Sequence, residues 1–147
     1  MSKLFFRYGA MNSGKSTAML QVAHNYEERD QSVVLVKSSV DTKGDDQIVS
    51  RLGVTRRADL LLSPGQDLRR ALQMLSAQRS DLSGGVACVL IDEAQFLSKQ
   101  QVLQIGQISD HLDIPVLAYG LRTDFRGEPF EGSKYLLAIA DNLKEIK

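Results

Sequence analysis

A chain of 147 residues, 43% apolar and 24% charged, has the make-up of an ordinary globular protein and the length to bury a core of its own. Its 18 Lys and Arg balance 18 Asp and Glu, so no bulk field points to nucleic acid or to an anionic membrane. No apolar run approaches the roughly 20 residues of a membrane span, the N-terminus carries no signal-peptide pattern, and the single cysteine, Cys88, sits in an apolar run where a reduced core thiol is expected, which together point to a cytoplasmic protein.

In chain order, residues 4–8 (Leu-Phe-Phe-Arg-Tyr) read as a short, mostly buried strand and residues 17–28 as a helix. Between them Gly9, Ala10, Met11, Asn12, Ser13, Gly14, Lys15 and Ser16 match the pattern G-x-x-x-x-G-K-[ST] at every position. A strand, this loop and a helix form a phosphate cradle: backbone N–H groups wrap the anion and the helix N-terminus adds positive potential. The pattern puts Lys15 on the β/γ-phosphates and the Ser16 hydroxyl on Mg²⁺, and so predicts nucleoside triphosphate binding.

Residues 32–37 have the β-branched density of a central strand. Residues 38–57 are polar with weak periodicity and read as a long, mobile excursion, a length uncommon in compact domains unless it serves a function. A short strand is expected at 60–62, then a helix opened by Pro64 and running to about Gln78, with Leu68, Leu72 and Leu75 on one face. Ser83-Gly84-Gly85 breaks the chain before a strand at 86–91. A helix over 99–111, a fourth core strand at 115–119, a second long loop over 120–132, a short helix at 133–140 and an edge strand at 143–146 complete the pattern. The alternation predicts one α/β domain over 1–147, its mostly parallel sheet covered by helices on both faces, and with the phosphate loop the expected fold class is a RecA-like P-loop NTPase.

The strand Val89-Leu90-Ile91 ends in two carboxylates, Asp92 and Glu93, where the acidic partner of a phosphate loop is expected. Asp92 would hold Mg²⁺ directly or through water, and Glu93 could accept a proton from an attacking hydroxyl or water. No Asn-Lys-x-Asp guanine signature is present, which argues against a GTPase. Asp92-Glu93-Ala94-Gln95 is like the acidic motif of helicases, but a helicase core needs two such domains and usually a Ser-Ala-Thr coupling motif, which is missing, and neutral charge offers little support for a phosphate-backbone track.

These residues resemble the type II thymidine kinases, a family with human cytosolic and many bacterial members. The likeness runs along nearly all of the chain and is carried by Gly-Ala-Met-Asn-Ser-Gly-Lys-Ser-Thr at 9–17, Ile-Asp-Glu-Ala-Gln-Phe at 91–96, and Tyr-Gly-Leu-Arg-Thr-Asp-Phe-Arg-Gly-Glu-Pro-Phe at 119–130. The last two are far more family-specific than the first. The resemblance implies transfer of the ATP γ-phosphoryl group to the 5′-hydroxyl of thymidine or deoxyuridine, with Glu93 as general base. Asp92, Glu93, Ala94 and Gln95 then join residues 9–16 around the nucleotide, with Ser16 and Asp92 on Mg²⁺. Met11, Phe96, Leu121, Phe125 and Phe130 would line the nucleoside pocket; flat apolar walls suit a pyrimidine. Read without the resemblance, Phe125 and Phe130 serve core or pocket equally well, and Arg122 and Arg126 are solvated charges or phosphate contacts.

Asp41-Thr42-Lys43 resembles a family Asp-x-Arg element with Lys43 in place of arginine, and lysine lacks the bidentate fork. His24 and His111 are expected at the surface or in packing roles. The family further implies a homo-oligomer, commonly a tetramer, restraint by dTTP, and a cysteine-held zinc segment followed by a lasso over the base. This chain stops at Lys147 with one cysteine and two histidines, so no zinc site is expected in it. ATP binding is expected to survive and thymidine to be phosphorylated poorly. The alternative reading is a P-loop ATPase or helicase-like module, or an ATP-binding domain with little kinase activity.

Overall fold

The computed structural model describes residues 2–10, 14–40, 46–50 and 52–147. Six strands form one sheet: β1 (Leu4–Tyr8), β2 (Val33–Ser38), β5 (Leu60–Leu62), β6 (Cys88–Asp92), β7 (Val116–Gly120) and β8 (Asn142–Glu145). Their order is β5-β2-β6-β7-β1-β8 and every pairing is parallel. Parallel strands need crossovers on the sheet faces, which is why the central strands read as unbroken apolar runs rather than as alternation. The helices are α1 (Lys15–Glu28), α2 (Leu68–Gln78), α3 (Lys99–His111) and α4 (Glu131–Ile139). The expected α/β sheet with helices on both faces is the observed one.

The period of two along each strand sorts the core into two layers. Phe6, Val34, Val36, Val89, Ile91, Val116 and Ala118 pack with Leu68 and Leu72 of α2, Val102, Ile105 and Ile108 of α3, and Leu136 of α4. On the other face Leu35, Cys88, Leu90 and Tyr119 meet Met19 and Ala23 of α1. Cys88 is fully buried, and burial pushes its thiol up to about 12, so it behaves as a small apolar core residue. Among the described residues no helix is long and apolar enough to cross a membrane.

Several expectations shift. The excursion over 38–57 contains an antiparallel hairpin, β3 (Gln47–Val49) with β4 (Thr55–Arg57), pinned by Ile48 beneath α1 and by the Arg56–Glu27 ion pair at 2.6 Å. Strands of three residues with a single buried side chain leave no periodic signal to read. Helix α2 starts at Leu68 rather than at Pro64: Gly65 turns the chain at φ +81, and Asp67 caps the helix by accepting the Arg70 N–H at 2.9 Å. Helix α4 begins at Glu131, two residues before its expected start, and α1 at Lys15, while β8 runs from Asn142 to Glu145 at the sheet edge beside β1.

Candidate active site

Parallel strands put their carboxyl ends on one rim, where α/β sheets bind ligands. On that rim β1 delivers the phosphate loop, β6 delivers Asp92 and Glu93, and β7, lying between them, delivers Gly120 and Leu121. The register sets Tyr8 opposite Gly120, and Gly9 N–H donates to the Gly120 carbonyl at 3.2 Å, so the loops after β1 and β7 leave the sheet together.

Of the phosphate loop, Met11, Asn12 and Ser13 lie outside the described residues, as do Asp41 and Lys43. Gly9 is buried and Ala10 exposed. Gly14 stands at the N-terminus of α1 with φ +89, a left-handed conformation that glycine adopts without strain. Among the described residues no side chain caps this helix and no acid occupies its first turn, so the positive end of the dipole is left for an anion. Ser16 lies in that turn. The Lys15 ammonium donates to the Ala10 carbonyl at 2.7 Å, which folds the side chain back toward the end of β1. Partial burial lowers the Lys15 pKa, an effect opposed by the nearby charges of Glu93 and Asp92. Loop lysine and acidic pair therefore share one electrostatic site.

Asp92 is 5% exposed, and its carboxyl is pushed up to about 6, first by burial and then by the charge of Glu93 beside it. One oxygen, Oδ1, accepts the Glu93 N–H at 2.9 Å. Glu93 itself has left-handed backbone, φ 57 and ψ 40, uncommon for a residue with a β-carbon and costing about 1–2 kcal/mol. The twist turns the chain off β6 into a short 3₁₀ turn, Ala94–Phe96, whose Ala94 and Gln95 are buried.

Two glycines make room for this turn. A β-carbon on Gly120 would stand 2.6 Å from Gln95 Oε1 and 2.9 Å from Gln95 N. One on Gly132, in the first turn of α4, would strike the Ala94 carbonyl oxygen and approach Gln95 O to 2.9 Å. Gly132→Ala is expected to destabilise the fold by about 1–3 kcal/mol, read as a lower urea midpoint, because neither backbone can yield without moving the other. An unchanged midpoint would show that α4 and the acidic turn separate freely.

Beyond Gly120 the chain forms a compact finger. Asp124 N–H donates to the Glu128 carbonyl, the Asp124 carboxylate accepts the N–H groups of Arg126 and Glu128, and Thr123 bridges Pro129. A cleft of about 470 Å³ opens beside it, lined by Gly9, Ala10, Leu121, Phe125 and Phe130 together with Tyr8, Arg122 and Glu145. It brings phosphate-loop and nucleoside-pocket candidates to one cavity, of a size that suits a small ligand. Phe130 meets Phe96 edge to face at 5.6 Å, so Phe96 backs the cleft through it. Phe125 is 95% exposed at the rim, with the Arg126 guanidinium 5.5 Å from its ring, and is not a core residue.

Sequence reasoning missed Tyr8 and Glu145 as cleft residues. Tyr8 reads as a strand end and Glu145 as part of the edge strand, and only the β1–β8 pairing sets them opposite each other. Arg122, whose guanidinium lies 5.5 Å from the Tyr8 ring, also faces this cleft. His24 is exposed and pairs with Glu28 at 2.9 Å, away from the site, and His111 is exposed at the end of α3.

The thymidine kinase family model matches residues 2–147. A thymidine kinase of Lactiplantibacillus plantarum is 49% identical over 148 aligned positions, covering all of this chain and 73% of that relative. Thymidine kinases of Enterococcus faecalis and Haemophilus influenzae are 50% and 49% identical, again over the whole chain, covering 72% and 74% of their lengths. With the phosphate loop, the acidic turn and the aromatic cleft on one rim of the sheet, the chain belongs to the thymidine kinase family.

Proposed function

We propose that this chain transfers the γ-phosphoryl group of ATP to the 5′-hydroxyl of thymidine or deoxyuridine. The observation that carries the reading is the shared rim: Glu93 neighbours Lys15 on one side and, through the loop after β7, a cleft walled by Leu121, Phe125 and Phe130 on the other. Residues 9–16 and the α1 N-terminus cradle the phosphates, with Lys15 neutralising charge as it builds on the transferred group. Asp92 to Gln95 form the acidic wall of that nucleotide site. Glu93 takes the proton of the attacking hydroxyl, and the cleft, with Met11 and Phe96, holds the base so that this hydroxyl points at Glu93.

The residues present also fit Mg²⁺. Asp92 is a buried carboxylate whose charge is disfavoured where it stands, the condition a cation relieves, and the Ser16 hydroxyl adds a second hard oxygen. Among the described residues no trio of His, Cys, Asp or Glu gathers, but Mg²⁺ is commonly held by one or two protein oxygens with phosphates and water. Bound there, the ion would supply charge neutralisation for phosphoryl transfer.

The test is thermal unfolding with Mg·ATP, thymidine, dTTP or single-stranded DNA, paired with an assay for thymidine monophosphate. A ligand at ~100 times its Kd stabilises the folded state by about 2.7 kcal/mol, so Mg·ATP and thymidine should each raise the midpoint. Competition by dTTP for the cleft would appear as a shift not additive with that of thymidine. Stabilisation by single-stranded DNA but not by thymidine, with no monophosphate formed, would overturn the kinase reading in favour of a helicase-like module.

A further inference from the structure

Gln95 is 2% exposed, and its amide is committed at both ends. Its Oε1 accepts the Leu121 N–H at 3.1 Å, and its Nε2 donates to Glu93 Oε2 at 2.6 Å. The direction of the amide follows from its partners. A backbone N–H can be met only by the oxygen, and an ionised carboxylate only by the NH₂ group, so the two contacts enforce each other. Gly120 lets this side chain lie across the end of β7, because any β-carbon there would overlap Oε1. The Ser133 hydroxyl donates to the Leu121 carbonyl, so the peptide groups on either side of Leu121 are held by two different elements.

Glu93 needs such a partner. Its left-handed backbone takes it off the line of β6, and without a fixed hydrogen bond a half-buried glutamate can explore several rotamers. Gln95 holds Oε2, which fixes the direction in which the carboxylate faces. The same amide grips the first residue of the loop that walls the cleft. We propose that Gln95 is a positioning residue: it aligns Glu93 with the bound acceptor and ties that alignment to the cleft wall at Leu121. The inference rests on Glu93 being the base, and it gives Gln95 a task distinct from touching the nucleotide.

The test is a set of variants assayed for kcat and for KM toward ATP and the nucleoside. Gln95→Met keeps length and bulk but removes both contacts, and should lower kcat about 10–100-fold, the order expected when a reacting group is misplaced by about 1 Å. KM for ATP should stay within about two-fold, and KM for thymidine should rise as Leu121 loosens. Gln95→Glu retains an oxygen for the Leu121 N–H but offers no donor to Glu93. It should lower kcat while leaving KM for thymidine near that of the unmodified protein, and it carries the test if Gln95→Met does not fold. In a Glu93→Gln background, Gln95→Met should change the residual kcat by less than about two-fold, because a residue acting through Glu93 has nothing left to align.

Equal losses from Gln95→Met in both backgrounds would overturn the proposal, as would a raised KM for ATP with kcat unchanged. Full turnover by Glu93→Gln, or none by the unmodified protein, would instead remove the reading on which it rests. A Mg·ATP thermal shift retained in Gln95→Met would show that the phosphate site stands without this side chain.

Discussion

Glu93→Gln should lower kcat for thymidine phosphorylation by about 10²–10⁴-fold, the range a positioned general base contributes. The substitution is nearly isosteric, and the new side chain keeps an oxygen that can accept from Gln95 Nε2, the contact now at 2.6 Å. What is lost is the ability to take a proton. KM for ATP and for thymidine should therefore stay within a few-fold, and the Mg·ATP thermal shift should persist, because in the proposed function the phosphates are held chiefly by the loop, Lys15 and the α1 N-terminus, while Glu93 serves the proton. A fall in kcat with binding retained is the signature of an interaction made in the transition state. Steady-state kinetics at saturating ATP decide the matter, and a loss below ten-fold would move the base elsewhere. The strained backbone at Glu93 suits the assignment, since a fold tolerates such a conformation where surrounding packing over-determines it. Here Gly120, Gly132 and Gln95 do so.

Asp92→Asn should have the opposite kind of effect: a more stable ligand-free protein and a poorer enzyme. The folded state holds the Asp92 proton more tightly than the unfolded chain does, about 6 against an ordinary 3.8, because the carboxylate is buried beside Glu93. The Glu93 N–H, Lys37 and Lys15 offset only part of that cost. The sign follows from proton counting. Between the two values the native state binds more protons than the unfolded state, so stability declines as pH rises. This contribution is fully present below about pH 4, is lost by the time pH has passed about 6, and is then constant, a total of about 3 kcal/mol.

Urea unfolding in EDTA from pH 4 to 8 should show that decline in the unmodified protein, and Asp92→Asn should remove it. At pH 7 the variant should be more stable by up to about 3 kcal/mol, with the Glu93 N–H still accepted by its side-chain oxygen. Mg·ATP should narrow or reverse the difference, because a cation repays the burial of the native carboxylate. A variant less stable than its parent in EDTA would show that the carboxylate is not the electrostatic burden its surroundings imply. Sites that hold charge out of water for a ligand characteristically cost stability in the ligand's absence.

Much of this was legible in the residues because it is local. The phosphate loop is a contiguous pattern between a strand and a helix, and the apolar run ending in Asp92 and Glu93 marks a central parallel strand by composition alone. Helix α3 falls on its expected bounds because its start is written beside it: the Ser98 hydroxyl accepts the Gln101 N–H and the Gln101 side chain returns the bond, a capping box within four residues. Helix α2 was misplaced for the complementary reason. Proline suits a helix start, but the glycine after it and the cap at Asp67 set the true one.

What the tertiary structure alone decided lies between segments distant in sequence. Nothing near Gln95 announces that its amide joins Glu93 to Leu121, 26 positions along, or that Gly120 and Gly132 are glycine because the acidic turn passes against them. The Asp92 carboxyl is raised by burial under neighbours that only the strand order β2-β6-β7 brings together. Phe125 and Phe130 are equivalent on paper, yet one projects from a loop tip and the other seats against Phe96. Backbone preference and periodicity are properties of a short stretch of chain, so the residues determined the elements and the phosphate loop. Burial, hydrogen-bond partnership and steric clearance are properties of pairs, and those were decided only when the sheet closed.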